Sequence, residues 1–187
     1  MRIIGGRFKG KKILQPKNEQ TRPLKDLTKE SIFNILNHSN KFKISVENSI
    51  VLDLFSGIGS FGLECLSRGA RHVTFVENYS GVLPILKKNL NNLNISEKYE
   101  IIEEDLISNF PIKKISQKFN IIFLDPPYKE KRLRNIIDDI FQEKILNKNG
   151  IIVIHRHKKE NDEFSKNFKI LDEKKYGISK ILFGTLK

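Results

Sequence analysis

Short apolar runs alternate with longer amphipathic segments through most of this 187-residue chain. The apolar runs are rich in β-branched and aromatic residues, and they predict strands over 50–54, 72–77, 99–103, 119–124 and 151–155. The amphipathic segments predict helices over 61–68, 81–93 and 133–145. Strands and helices in alternation indicate an α/β fold, in which a doubly wound, mostly parallel sheet carries helices on both faces.

The N-terminal part of the chain does not follow this rhythm. Residues 2–24 predict a short hairpin or arm, with turn points at Gly5, Gly6 and Gly10. Its apolar anchors are Ile3, Ile4, Phe8, Ile13 and Leu14. Residues 26–37 predict a helix with Asp26 as its N-cap. The apolar side of this helix consists of Leu27, Ile32, Phe33, Ile35 and Leu36.

The end of the chain predicts an antiparallel addition to the sheet. Asn149 and Gly150 predict a turn into the strand over 151–155, and a short polar helix is expected after that strand. Strands over 168–171 and 178–186 have too few residues between them for a crossover helix. They therefore predict a hairpin at the edge of the sheet, in which one strand runs antiparallel.

The strand over 119–124 ends at the tetrapeptide Asp125-Pro126-Pro127-Tyr128. Neither proline can donate a ladder hydrogen bond and each fixes its own φ, so the carboxylate follows the strand on a rigid turn. Ligands bind at this edge of open α/β sheets. Asp125 and the carbonyl of Pro126 can accept both N–H bonds of an exocyclic amine, while Tyr128 stacks on its base. The alternative is a rigid turn that binds nothing.

The segment Gly57-Ile58-Gly59-Ser60-Phe61-Gly62 lies between a predicted strand and a predicted helix, and Glu77 follows at the end of the next strand. This pattern is typical of a dinucleotide site, with Glu77 at the ribose hydroxyls. Asp53 argues against it, because an ionised carboxylate repels a pyrophosphate. S-adenosylmethionine (SAM) carries an ammonium and a sulfonium and no phosphate, so it fits Asp53 better. Gly57 and Gly59 then let the backbone approach its amino-acid end.

Several segments, taken in order, resemble one family over nearly the whole chain. Asp125-Pro126-Pro127-Tyr128 is similar to the Asp/Asn-Pro-Pro-Tyr/Phe motif of SAM-dependent amino-group methyltransferases. Other segments resemble one narrower family, the bacterial small-subunit ribosomal RNA guanine-N2 methyltransferases. They are MRIIGGRFKG (1–10), TRP (21–23), SIFNIL (31–36), VLDLFSG (51–57) and KYG (175–177). The resemblance implies a Rossmann-like methyltransferase sheet with an antiparallel edge strand. The family often has Glu where Arg156 or His157 stands, so no role is carried over there.

The resemblance also implies roles for particular residues. It implies methyl transfer to the N2 amine of a guanine in 16S ribosomal RNA, flipped into a pocket formed by Asp125, Pro126, Pro127 and Tyr128. The residues expected to bind SAM are Asp53, Phe55, Gly57, Gly59, Glu77, Asp105 and Leu106, with Asp105 at the adenine amino group. The residues expected to bind RNA are Arg2, Arg7, Lys9, Lys11 and Arg22. For Glu77 and Asp105 the alternative is a solvated carboxylate at a strand end.

The charge of the chain favours a polyanionic partner. Its net charge is +12, from 34 Lys and Arg against 22 Asp and Glu. Residues 1–25 contain eight basic side chains and a single acidic one, Glu19. The basic residues are Arg2, Arg7, Lys9, Lys11, Lys12, Lys17, Arg22 and Lys25. The alternatives are a solvated basic tail and a lysine-rich composition of genomic origin.

Composition also bounds the other possibilities. No apolar run is long enough to span a bilayer, and the single cysteine, Cys65, forms no internal disulfide, so we expect a cytoplasmic protein. His155 and His157 share a strand face, but no third close ligand accompanies them and Cys65, so no metal is expected. We see no repeat and no domain boundary. We therefore expect a monomer with one domain over 1–187, divided into a basic arm (1–25) and a SAM-binding core (26–187).

Two classes of function remain open. The first is an RNA methyltransferase that acts on ribosomal RNA within a small-subunit particle. The second is a non-catalytic RNA-binding assembly factor with a relic fold, although an intact set of Asp53, Gly57, Glu77 and Asp125 argues against it. Among enzymes, another RNA base or a DNA base stays possible as the substrate. A large target-recognition domain would favour DNA, and none fits in 187 residues.

Overall fold

The computed structural model describes residues 1–16, 24–106, 114–115, 117–127 and 130–187. In this part of the chain the strands are β1 (Ile50–Leu54), β2 (His72–Val76), β3 (Tyr99–Ile102), β4 (Phe119–Leu124), β5 (Leu146–His157), β6 (Phe168–Tyr176) and β7 (Ser179–Leu186). The α-helices are α1 (Asp26–His38), α2 (Ser60–Ser67), α3 (Leu83–Asn91) and α4 (Leu133–Gln142). No described helix is long and apolar enough to cross a membrane.

The strands form one sheet in the order β3-β2-β1-β4-β5-β7-β6. Neighbours from β3 to β5 pair in parallel, whereas β7 lies antiparallel between β5 and β6. This arrangement confirms the predicted doubly wound sheet with an antiparallel addition. The chain moves outward from β1 to β3 and then returns to place β4 on the other side of β1. The strand order therefore reverses between β1 and β4, and at such a point the carboxyl ends of the strands border a crevice.

Two apolar layers bury the two faces of the sheet. One face packs against α1, α2, α3 and the N-terminal arm. On it, the ring of Phe61 stacks on the rings of Phe123 and Phe33, with centroids 4.0 and 5.2 Å away. The other face packs against α4 through Leu133, Ile136, Ile137 and Ile140. Because both faces are covered, the central strands consist of continuous apolar runs rather than alternating ones.

The N-terminal arm, of which 1–16 are described, is docked firmly on this layer. Arg2 and Lys12 form an antiparallel bridge, which confirms the predicted hairpin, and Ile3 and Ile13 are buried below it. The chain turns at Gly6 with φ +70°, and a side chain there would lie 1.9 Å from the carbonyl oxygen of Ser67. Glycine is therefore required where the arm crosses the end of α2.

A buried lysine joins the arm to α1 and α2. Lys29 is fully buried, and its Nζ donates to the carbonyl of Arg2 at 2.8 Å. The buried Glu64 lies 3.7 Å from this ammonium and accepts the N–H of Ile4 at 2.9 Å. Burial lowers the pKa of Lys29, and the carboxylates of Glu64 and Asp26 oppose that shift. The arm is thus held by polar contacts as well as by its apolar anchors.

Two predictions about α1 are wrong. The N-cap is Lys25, no side chain caps the helix, and Asp26 is instead its first residue, with Oδ1 3.6 Å from Lys29. Leu27 is 70% exposed rather than part of the apolar side. The buried positions Thr28, Ile32 and Leu36 follow a spacing of four, and Leu27 lies outside that stripe.

Two further differences concern β5 and the segment after it. The strand begins at Leu146, because Phe119 pairs with Leu146 and Ile121 pairs with Ile151, so the predicted turn at 149–150 is an irregularity inside the strand. The short polar helix expected after β5 is absent from 158–167, all of which are described. This segment folds back on the sheet instead, because the carboxylate of Asp162 reaches a buried arginine of β5.

Candidate functional site

Three carboxylates meet at the carboxyl ends of neighbouring parallel strands. Asp53 is the penultimate residue of β1, Glu77 follows the last residue of β2, and Asp125 follows the last residue of β4. The charges of Asp125 and Glu77 both raise the pKa of Asp53, so the three acids lie in one neighbourhood. They lie at the point where the strand order reverses, and the structure therefore brings together the three acids that the sequence singled out.

Asp53 is the most deeply buried of the three acids. It is 1% exposed, and its Oδ2 accepts the N–H of Gly62 in the first turn of α2 at 2.9 Å. Burial raises the pKa of Asp53 well above its ordinary value, and the charges of Asp125 and Glu77 raise it further, while the hydrogen bond from Gly62 opposes them. A cation beside this carboxylate would favour its ionised form.

The glycine loop between β1 and α2 is shaped by backbone in the left-handed region. Phe55, Gly57 and Gly59 have φ values of +59°, +55° and +83°. A Cβ at Gly59 would lie 2.5 Å from Leu86, so close packing against α3 requires glycine there. A Cβ at Gly57 would have no heavy atom within 4 Å. The loop is therefore packed on its inner side and open at Gly57, where a ligand has room.

Glu77 is held by backbone donors from two loops. Its Oε2 accepts the N–H of Gly57 at 2.7 Å, and its Oε1 accepts the N–H groups of Asn78 and Tyr79 at 3.0 and 2.8 Å. Oε1 thus has both lone pairs engaged, whereas Oε2 keeps one that can accept a hydroxyl. Asp105 and Leu106 come after β3, the strand next to β2 in the sheet. Asp105 is half-buried and Leu106 is buried.

The acceptor oxygens of this pocket fit a cation that carries hydroxyls and do not fit a pyrophosphate. The N–H groups of Gly57 and Gly62, which would face a phosphate, donate to the carboxylates of Glu77 and Asp53. Anionic oxygens therefore line the loop where a dinucleotide site needs donors. The residues present fit the predicted SAM, because the carboxylate of Asp53 suits its positive charge and that of Glu77 suits its ribose.

Asp125 is immobilised by a histidine that the sequence analysis left without a role. Its backbone N–H lies 3.4 Å from the carbonyl of Leu54 on β1. Its Oδ1 lies 2.7 Å from Nδ1 of His155, whose Nε2 lies 2.9 Å from Oγ of Ser179 on β7. His155 is 6% exposed, whereas the side chain of Asp125 is 22% exposed. The carboxylate is therefore fixed on one side and open on the other.

Arg156 holds the same turn from the opposite face of the sheet. It is 2% exposed, and its guanidinium donates to the carbonyls of Pro127 at 3.2 Å and Glu130 at 3.1 Å. Its Nε contacts both carboxylate oxygens of Asp162 at 3.0 and 3.1 Å. Pro126 is buried and Pro127 is exposed. Tyr128 lies outside the described residues, so its predicted stacking role stays a prediction.

Sequence reasoning missed these two residues of β5, although a signal for them exists. His155 and Arg156 directly follow the four apolar residues Ile151–Ile154 in a strand predicted to be buried on both faces. Polar groups buried at such a strand end need partners, and the nearest neighbour of that end is the Asp125 turn of β4. A buried His-Arg pair at that end therefore points to the turn.

The predicted RNA-binding residues lie on the docked arm. Arg2, Arg7, Lys9 and Lys11 are exposed, and Arg22 lies outside the described residues. Arg7 and Lys11 flank the ring of Phe8, at 4.3 and 5.1 Å from its centroid. The tip of the arm contacts Ser67, so it lies at the far end of α2, roughly 10 Å along the helix from the glycine loop.

In the described part of the chain, no group of three or more His, Cys, Asp or Glu side chains is arranged so that it could hold a metal ion. Cys65 is buried, as its apolar surroundings in the sequence predict, and burial raises the pKa of its thiol well above the ordinary value. The ring nitrogens of His155 face Asp125 and Ser179. The candidate site is therefore formed by carboxylates, a glycine loop and the turn after β4.

Comparisons with known proteins agree with this geometry. The sequence profile of the family described as Conserved hypothetical protein 95 matches residues 1–185. Ribosomal RNA small subunit methyltransferase D of Haemophilus influenzae is 34% identical over 179 residues, which cover 95% of this chain and 90% of the relative.

Two solved structures are similar over nearly their whole length. HI0767 of Haemophilus influenzae, proposed to be a methylase, is 32% identical with a TM-score of 0.76, covering 98% of this chain and 96% of that protein. YhhF of Escherichia coli, proposed to be a methyltransferase, is 26% identical with a TM-score of 0.83, covering 100% and 98%. The chain therefore belongs to the Conserved hypothetical protein 95 family, that of the bacterial ribosomal RNA small subunit methyltransferase D.

Proposed function

We propose that this protein transfers a methyl group from SAM to the exocyclic N2 amine of a guanine in small-subunit ribosomal RNA. The observation that carries the proposal is the position of Asp125. Its carboxylate is held at the carboxyl end of β4, with one side open, beside the acids that suit a cationic cofactor. The relatives named for small-subunit ribosomal RNA methylation support the choice of substrate.

In this proposal the acids and the glycine loop bind the cofactor. Asp53 attracts its positive charge, Glu77 accepts from the ribose hydroxyls, and the open side of Gly57 gives room for its amino-acid end. Phe55, Gly59, Asp105 and Leu106 complete the pocket, with Asp105 at the adenine amino group. SAM, when bound, supplies a methyl group already activated on a sulfonium.

The turn after β4 binds the amine that receives the methyl group. The free oxygen of Asp125 and the carbonyl of Pro126 accept its two N–H bonds and orient its lone pair toward the donor. This matters because the lone pair of an exocyclic amine is delocalised into the base. Most of the rate then comes from proximity and orientation, and the proton released after transfer leaves to Asp125 or to water.

Access to a guanine N2 requires the base to leave its stack. In the proposed complex the base is flipped into the Asp125 pocket, where Tyr128 stacks on it. The exposed basic residues of the arm contact phosphates at a distance from the target, at the far end of α2. The protein would act as a monomer, in the cytoplasm, on ribosomal RNA within a small-subunit particle.

The test maps methylation in a strain that lacks the protein and then repeats the reaction with purified components. We expect one guanine of 16S ribosomal RNA to lose its N2 methyl group, and purified protein with labelled SAM to restore it on small-subunit particles, with free 16S ribosomal RNA tested in parallel. Loss of a methyl group from another base, or from DNA, would contradict the proposed substrate. Unchanged methylation together with a defect in subunit assembly would favour a non-catalytic assembly factor.

A further inference from the structure

The side chains of Asp125, His155 and Ser179 form a chain across three neighbouring strands. Ile154 pairs with Leu124, so the next residue, His155, lies level with Asp125. Its ring bridges Oδ1 of Asp125 at 2.7 Å and Oγ of Ser179 at 2.9 Å. Both His155 and Ser179 are buried. The chain therefore runs from the interior of the sheet to the open side of the proposed amine site.

The chemistry of the groups settles which atoms donate. An ionised carboxylate can only accept, so Nδ1 of His155 carries the hydrogen that faces Asp125. In a neutral ring Nε2 then accepts the hydroxyl hydrogen of Ser179, and in a charged ring Nε2 donates to its oxygen. In both protonation states Oδ1 of Asp125 is engaged by His155, which leaves Oδ2 for a ligand.

The sequence of the turn explains why an external donor is needed. An aspartate in a turn is usually held by the backbone N–H groups of the next two residues. Here those residues are Pro126 and Pro127, and proline has no N–H to donate. These two residues therefore fix the backbone of Asp125 but offer no N–H that would fix its carboxylate. His155 supplies that donor from the neighbouring strand.

We infer that His155, itself oriented by Ser179, is the positioning residue that fixes the Asp125 carboxylate with Oδ2 directed to the amine. The inference rests on the proposed function, because it assigns the open oxygen of Asp125 to the reacting amine. Methyl transfer depends on in-line geometry, and a misplacement of about 1 Å costs on the order of a hundredfold in rate. A carboxylate 22% exposed and without His155 would turn toward water.

Four variants separate this role from a merely structural one. His155→Leu removes the donor, and His155→Asn keeps an N–H near the position of Nδ1. His155→Gln places its amide near the position of Nε2 and so cannot serve Asp125. Ser179→Ala removes one oxygen and leaves the ring without its orienting partner. The measurement is single-turnover transfer of labelled methyl to small-subunit particles at saturating SAM and RNA, with the Kd of SAM determined separately.

We expect His155→Leu and His155→Gln to slow transfer by between tenfold and about a hundredfold, with the Kd of SAM within twofold of the wild type. His155→Asn should recover most of the rate, and Ser179→Ala should lose only a few-fold. Thermal unfolding accompanies each variant. If His155→Leu fails to fold, the comparison of His155→Asn with His155→Gln and the Ser179→Ala variant decide the question.

Asp125→Ala separates failure of the inference from failure of the proposed function. If Asp125→Ala is inactive while His155→Leu transfers at the normal rate, the positioning role is wrong and the proposed function stands. Equal rates in His155→Asn and His155→Gln would overturn the positioning role as well. A normal rate in Asp125→Ala would overturn the site itself, and the inference with it.

Discussion

Gly57 donates its backbone N–H to Oε2 of Glu77 across 2.7 Å and so joins the glycine loop to the end of β2. In a dinucleotide site the same loop presents its N–H groups to a pyrophosphate, and the acid at the end of the second strand binds a ribose. Here the carboxylate of Glu77 also accepts the N–H of Gly57, which a pyrophosphate would otherwise accept. The two sites share a sequence pattern, and the acceptor of this one hydrogen bond, a carboxylate here and a phosphate there, distinguishes them.

The first prediction concerns the choice of cofactor. We expect the protein to bind SAM and its demethylated product and to have negligible affinity for NAD, because carboxylates line the loop that would receive phosphates. Isothermal titration calorimetry with the three ligands checks this. Tight binding of NAD without binding of SAM would contradict the assignment of Asp53 and Glu77.

The second prediction concerns Asp53→Asn. Burial and two neighbouring acids raise the pKa of Asp53, so its contribution to stability is full below the unfolded pKa and is lost as the pH rises through the folded pKa. Asparagine removes that cost and can still accept the N–H of Gly62. We expect Asp53→Asn to raise the melting temperature at pH 7 by more than at pH 4, with roughly 2–4 °C for each kcal/mol. Calorimetric melting at the two pH values checks this.

The same variant should lose affinity for SAM. A cation beside Asp53 lowers the pKa of this acid, so binding releases a proton and the affinity of the wild type should rise with pH. The demethylated product lacks the sulfonium charge and serves as the control, with a weaker dependence on pH. An unchanged affinity in Asp53→Asn would show that Asp53 faces no positive charge of the ligand. Equal pH dependence for the two ligands would place Asp53 at the ammonium, which both carry, and not at the sulfonium.

The third prediction concerns the turn after β4. Asp125→Ala should leave the affinity for SAM largely intact and reduce single-turnover methyl transfer by roughly a hundredfold or more, because the acceptor that orients the amine is lost. Tyr128→Ala should cost about 1–3 kcal/mol of stacking on the flipped base, while Tyr128→Phe retains much of the activity. Near-normal transfer in Asp125→Ala would mean that the turn binds no amine.

The fourth prediction concerns stability. Arg156→Met leaves the nine-tenths buried carboxylate of Asp162 without its main partner, and we expect a loss of about 3–5 kcal/mol in the free energy of unfolding. Because Lys180 lies 3.9 Å from Asp162 and still offsets part of its charge, we expect a loss at the lower end of this range. Arg134→Met is the matched control, since the side chain of Arg134 is 54% exposed and lies 3.8 Å from Asp138. Arg134→Met should lower the free energy of unfolding by less than about 1 kcal/mol. Urea denaturation of both variants measures the two losses. Equal losses would show that Arg156 does not hold the turn.

The fifth prediction concerns the arm. Replacing Arg7, Lys9 and Lys11 together with Ala should weaken binding to RNA and flatten its salt dependence, by a log–log slope of roughly one for each phosphate that the arm no longer neutralises. The charge-matched control replaces three exposed lysines at the amino ends of β4 and β5, namely Lys118, Lys144 and Lys148. Filter binding at several salt concentrations checks this. If both triple variants bind alike, the arm acts only as solvated surface.

The sequence predicted the framework of the sheet because that framework is a local property. The run Ile121–Leu124 was predicted to be a strand buried on both faces, and it is buried. The acids Asp53, Glu77 and Asp125 were predicted at the ends of parallel strands, which lie at one edge of a sheet. The contacts that the sequence did not predict depend on pairing across strands. His155 and Arg156 carry no local signal for Asp125 and Pro127, which precede them by about 30 residues in the chain.

The errors have the same origin. The segment 158–167 is polar enough to form a short surface helix, but the buried guanidinium of Arg156 takes the carboxylate of Asp162 and holds the segment in another conformation. Asp26 has the residue type of an N-cap, yet it lies inside the helix near Lys29. In both places the residue type alone did not decide the local structure.

The docking of the arm also sets an order of events during synthesis. The N–H of Ile4 can bond Glu64 only after 60 further residues have been synthesised. The N–H of Leu14 can bond Asn89 only after 75 further residues. At usual rates of translation these intervals are on the order of 3–15 s. The arm can therefore be fixed only after about half of the chain has been made. Until then its basic side chains lack the core on which they are docked in the folded protein.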